Sequence, residues 1–139
     1  MHKLLGLYSQ LEKDGVAVFD YPVEIDDAMT ICMNDQYAIF IDINQFQSAA
    51  EELSALAHEY GHCATGATHA VSSPLDLIEK HEYKADKFAS HNLLAPSAMK
   101  QAIDDGYTEV WQLAEQFDVT EEFVQRAVYI YQCEGLLSA

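Results

Sequence analysis

The stretch that most constrains this chain is SAAEELSALAHEYGHCATG, from Ser48 to Gly66. Ser48 stands three residues before Glu51, a capping-box spacing that opens a helix running toward Gly66. Along that helix His58 and His62 are four residues apart, so the two imidazoles lie one turn above each other and can reach one cation. Gly61 falls in mid-helix, which costs roughly 1 kcal/mol against Ala and is easiest to understand if something packs closely against that turn. A His-Glu-x-x-His run can arise by chance; lying inside a capped helical pattern, not in a loop, gives this one its weight.

The 139 residues suit a single domain over 1–139, long enough for one core and too short for two ordinary ones. Three β-prone stretches precede the helix: VAVFDYPV, MTICM and QYAIFIDIN, the last two separated by an Asn34-Asp35 turn signal. They predict a small antiparallel sheet of about three strands. Residues 3–13 predict a short amphipathic helix with Leu4, Leu5, Tyr8 and Leu11 on one face, ended near Gly15. After a small-residue loop, Pro74 sits near the start of a second strong helix, LDLIEKHEYKADKFASHNLL, which Pro96 closes. Further helices are predicted in SAMKQAIDD, YTEVWQLAEQF and TEEFVQRAVYIYQCEGLL. The fold class is therefore α+β with a helical C-terminal part.

Two histidines and a carboxylate suit zinc and leave a fourth position for water, whose proton Glu59 is placed to take as it attacks a carbonyl. The second helix offers Glu79, His81 and Glu82 as the third ligand. At about 100° per residue from Ile78, Glu82 falls within the apolar face near Ala85 and Ala89, where an unpaired carboxylate is expensive. His81 and Glu79 fall on the flanks, so Glu82 is the choice. Asp86, one turn further on, is placed to accept the free ring N–H of a ligating histidine.

LAHEYGHCATG followed by EYKADKFASHNLLAP resembles the ImmA/IrrE family of zinc metallopeptidases, as does LAEQFDVTEEFVQRAV further on. The likeness covers roughly residues 15–130. It implies a compact zincin-like domain, one catalytic zinc on His58, His62 and Glu82, and Glu59 as general base. Lys84 stands where many members carry a second acidic residue, a departure that touches no proposed ligand. The resemblance also implies that YAIFIDIN, before the motif helix, binds substrate in extended form. By analogy the substrate is a helix-turn-helix transcriptional repressor of a prophage, mobile element or stress regulon. The alternative is a zincin-fold module that binds a repressor, or another basic protein, without cutting it. Tyr60, Tyr83, His69 and His91 are candidates for stabilising an oxyanion, and the sequence singles out none of them.

With 7 basic against 23 acidic residues, the formal charge is −16. Phosphate backbones would repel it, so direct nucleic-acid binding is not expected, whereas a basic protein partner suits it. LAEQFDVTEEFVQRAV has a helix–turn–helix rhythm, but Glu121 and Glu122 open its second helix where DNA phosphates would lie. Val110, Leu113, Phe117, Phe123, Val124 and Val128 are accordingly read as packing residues. No apolar run approaches membrane-spanning length, and the cluster Leu4 to Tyr8 is broken too soon for a signal-peptide core. Cys32, Cys63 and Cys133, odd in number and widely spaced, suit reduced thiols in a cytoplasmic protein and are read as buried small hydrophobes.

Overall fold

The structure, a computed structural model, describes residues 2–23, 27–68 and 74–137. Its first element, α1 (His2–Lys13), is followed by Gly15 at φ 76°. Leu4, Leu7 and Leu11 form the buried face of α1, with Tyr8 packed beside them, while Leu5 is 61% exposed. The predicted face is corrected by one member: an i, i+3, i+7 stripe turns Leu7 inward, and Leu5, about 100° round from Leu4, meets solvent.

Strands β1 (Ala17–Asp20), β2 (Ala28–Met33) and β3 (Gln36–Ile41) form one sheet in the order β1-β3-β2. The β2–β3 hairpin turns on Asn34 and Asp35, at φ 53° and 63°, the left-handed pair that a two-residue hairpin of this kind requires. β1 instead runs parallel to β3, with Ala17 opposite Ala38 and Asp20 opposite Ile41. The sheet is thus mixed, which corrects the antiparallel expectation. β3 is apolar on both faces, with Ile39 and Ile41 on one and Ala38 and Phe40 on the other, and such a strand gains most from the central position. Ala38–Ile41 is consequently paired on both sides. β3 therefore has no open edge to receive a peptide over those residues, where YAIFIDIN was expected to bind one.

Ile39 and Ile41 are fully buried and join the core that includes Leu53, Leu56 and Ala57. Those three come from α2 (Ala49–Thr65), which begins after a 3-10 turn at Ile43–Gln45. Ser48 Oγ accepts the N–H of Glu51 at 3.2 Å, and the Glu51 carboxylate accepts that of Gln47 at 2.7 Å, so the cap reaches one residue further back than predicted. Gly66 closes the helix at φ 67°.

Helix α3 (Leu75–Leu93) crosses α2 at Gly61. A Cβ on Gly61 would lie 2.3 Å from the carbonyl oxygen of Ala85 and 2.8 Å from its Cα. Backbone therefore meets backbone at this turn, which is the physical reason for a glycine in mid-helix. α4 (Pro96–Asp104), α5 (Val110–Phe117) and α6 (Glu121–Cys133) follow, Pro96 being the first residue of α4. Leu113 and Val124 are buried, and Val110, Phe117, Phe123 and Val128 pack against the same core, as predicted. Thr120 caps α6 through the N–H of Phe123 at 3.0 Å, and its own N–H donates to Ser54 of α2 at 3.2 Å. Among the described residues no helix is long and apolar enough to cross a membrane.

Cys63 is buried, and burial together with Glu59 pushes its thiol up to about 12. Cys32 and Cys133 are exposed, which corrects their reading as buried. The first lies on edge strand β2 and the second ends α6.

Candidate metal centre

Burial of one face of α2 orients its functional side chains. Leu53, Leu56, Ala57 and Tyr60 turn into the core, and the close approach at Gly61 lays α3 alongside. His58 and His62 then face Glu82 and Asp86 across the helix pair. His58 Nε2 lies 2.8 Å from Glu82 Oε2, and His62 Nε2 lies 3.1 Å from Glu82 Oε1. The two Nε2 atoms are 3.2 Å apart. Each of these three residues offers a ligand atom within 4.8 Å of the others, and no other such group occurs among the described residues. Glu79 is exposed and stands outside the cluster, as does His81.

The other ring nitrogens are committed elsewhere. His58 Nδ1–H donates to Asp86 Oδ1 at 2.7 Å, and His62 Nδ1–H donates to the carbonyl of Ala67 at 2.5 Å. Since an acceptor holds each Nδ1 proton, both Nε2 atoms present lone pairs to each other and to the Glu82 carboxylate. Such a convergence needs a proton or a cation between the atoms. Tetrahedral zinc, with ligands roughly 2.0–2.1 Å away, sets them roughly 3.3 Å from one another, close to the spacing here. The residues fit the ion.

When protons do the bridging, burial opposes the charge on His58, but Asp86 and Glu82 outweigh it and push the imidazole up to about 10. His62 is raised as well, Glu82 and the Ala67 carbonyl overcoming burial. Hydrogen bonds from both histidines hold the Glu82 carboxyl far below the usual carboxylate range.

Glu59 turns toward the sheet. Thr30 Oγ1, on β2, donates to Glu59 Oε1 at 2.7 Å. Burial raises the carboxyl of Glu59, with the histidines and Thr30 pulling the other way. A carboxylate raised in this manner is better suited to accept a proton near neutral pH.

A cleft of about 400 Å³ opens beside the cluster, lined by His58, Glu82 and Asp86 and, from α6, by Phe123 and Arg126. Arg126 Nε stands 3.8 Å from Asp86 Oδ2. The sequence does not point to Thr30, the Ala67 carbonyl or Arg126. A threonine in a β-prone stretch carries no signal of its own, and a backbone acceptor carries none at all.

Of the oxyanion candidates, Tyr60 is buried with its hydroxyl on Asp14 and its ring edge-on to Phe88. Tyr83 donates to Glu134 at 3.0 Å, and His91 packs against Tyr131. None of the three joins the cluster, and His69 lies outside the described residues.

Comparison with curated proteins gives no match, and comparison with solved structures gives none. Residues 7–129 do match the family model of peptidase family M78, described as the IrrE N-terminal-like domain. That range covers most of the chain and contains every residue of the cluster, so the chain belongs to the M78 peptidase family.

Proposed function

We propose that this chain is a zinc-dependent endopeptidase in which His58, His62 and Glu82 hold one ion and Glu59 is the general base. The reading is carried by one observation: two Nε2 atoms and a carboxylate converge while both Nδ1 protons are held by other acceptors. Membership of a peptidase family supports the same class of chemistry. Bound there, zinc supplies Lewis acidity that polarises a peptide carbonyl and lowers the pKa of a water molecule.

The chain's own residues do the rest. Asp86 and the Ala67 carbonyl fix the tautomer and the tilt of each imidazole. Thr30 orients Glu59, which takes the proton of the attacking water as the new C–O bond forms. Glu59 then delivers that proton to the leaving nitrogen as the C–N bond breaks. Among the described residues no strand pairs with the outer edge of β2, the strand that carries Thr30, and that edge would take an extended peptide through main-chain hydrogen bonds. The proposed target is a helix-turn-helix repressor of a prophage, mobile element or stress regulon. A formal charge of −16 suits capture of such a basic protein.

The test is cleavage of a purified helix-turn-helix repressor encoded beside this gene, followed by mass spectrometry with the zinc-loaded chain and its Glu59→Gln variant. The expected result is one specific cut, slowed in the variant by ~10²–10⁴-fold while zinc content is unchanged. Regulation of the repressor that survives intact in Glu59→Gln would point to binding without cleavage.

A further inference from the structure

The face of the sheet turned away from the core carries an ordered apolar surface. Strand register sets Phe19, Phe40 and Met29 in one row across β1, β3 and β2, with Ala17, Ala38 and Ile31 in the next. Alternation sends this set to the side opposite Ile39 and Ile41. Phe19 stacks on Phe40 at 5.2 Å, and Tyr21 meets Phe40 edge-on at 6.2 Å. Nevertheless Phe19 is 48% exposed, Tyr21 62%, Met29 43% and Met33 68%. Contiguous apolar surface of this kind marks an interaction site more than it serves a lone molecule.

Its surroundings restrict the partner. Between Lys13 and Lys80 the chain holds twelve Asp and Glu residues and no Lys or Arg. Asp35 sits in the hairpin turn at one end of the face, whereas Asp20 shares the core-side parity of Ile41 and accepts the Ile43 N–H at 3.2 Å, and Asp27 lines the cleft beside the metal cluster, so it is the chain's overall charge of −16 that favours a cationic partner. A second copy of a chain carrying a formal charge of −16 would be repelled, and anionic lipid or nucleic acid would meet the same repulsion.

We propose that this face docks a cationic amphipathic protein segment. Its apolar side chains seat on the Phe19–Phe40–Met29 row, and its Lys or Arg side chains meet the acidic surface of a chain of formal charge −16. Arg over an aromatic ring adds a cation–π contribution, and methionines adapt their shape to what they receive. Thr30, which touches Glu59, belongs to the inner face of the same sheet. The segment therefore binds without occupying the metal centre, and the inference holds whether or not the bound partner is cut.

The test titrates a synthetic helical Leu/Lys peptide into the wild type and a Phe19→Gln, Met33→Gln double variant, with Leu/Glu and Lys-only peptides as controls. Binding of the Leu/Lys peptide alone is expected, weakening as salt rises and at least tenfold weaker in the double variant, whose zinc content and melting temperature stay unchanged. Undiminished binding in the variant, equal binding of the Lys-only peptide, or no binding of Leu/Lys at all overturns the proposal. So does a dimer in sedimentation that the double variant dissolves, because it assigns the face to a second copy.

Discussion

The helix pair α2–α3 and the sheet treat their exposed surfaces in opposite ways. Across the helix pair, backbone touches backbone at Gly61 and Ala85, and both ring nitrogens of His58 and of His62 have partners. The sheet buries Ile39 and Ile41 on one side and leaves Phe19, Tyr21, Met29 and Met33 in water on the other. One region is closed around a point and tolerates little change. The other is open and is suited to receive something. On the proposed reading, chemistry sits on the rigid pair and recognition on the open sheet, and mutation can test that division.

The largest effect is expected at Gly61. Gly61→Ala gains roughly 1 kcal/mol of helix propensity, but its Cβ meets the Ala85 carbonyl at 2.3 Å, so α2 and α3 must part. A net loss of about 1–3 kcal/mol is expected from denaturant unfolding, with weaker zinc binding because Glu82 and Asp86 move with α3. An unchanged or higher midpoint would break the picture of a closed pair.

Asp86→Asn comes next. It removes the charge that holds His58 Nδ1–H at 2.7 Å while keeping the shape, and zinc affinity should fall ~10–100-fold in chelator competition, with stability little changed.

A smaller effect concerns the underside of α2. Burial and Asp14 push the Tyr60 hydroxyl up to about 12, against an ordinary value near 10. A group raised on folding contributes stability that is fully present below its unfolded pKa and is lost as pH climbs through the folded one. The wild type should therefore weaken between about pH 10 and 12, and Tyr60→Phe should show a shallower decline in thermal melts over that window.

The smallest effect is expected on the sheet. Phe19→Gln with Met33→Gln, at positions 48% and 68% exposed, should change unfolding free energy by no more than about 0.5 kcal/mol. A larger loss would mean that the open face is structural.

The same contrast explains what could be read in advance. The histidines, Glu82 and Asp86 obey local helical spacing, which sequence displays directly, and Gly61 signalled a close approach before α3 was identified as its partner. Strand pairing is non-local. Nothing in VAVFDYPV says that it will run parallel to a strand two elements later, so the sequence suggests an antiparallel sheet and does not show that Ala38–Ile41, within the expected substrate strand YAIFIDIN, is paired on both sides. Leu5 and Leu7 were confused because neighbouring apolar positions on a short helix differ only in phase. The exposure of Cys32 and Cys133 depends on edge and terminal placement, which composition does not encode.

Zinc content by elemental analysis, comparing the purified wild type with His58→Ala and Glu82→Ala, tests the central claim most directly. The account predicts near-stoichiometric zinc in the wild type and its loss in both variants. A wild type that takes up no zinc when incubated with it, or a Glu82→Ala variant that retains the full amount, would contradict the assignment of the α2–α3 pair as the metal centre.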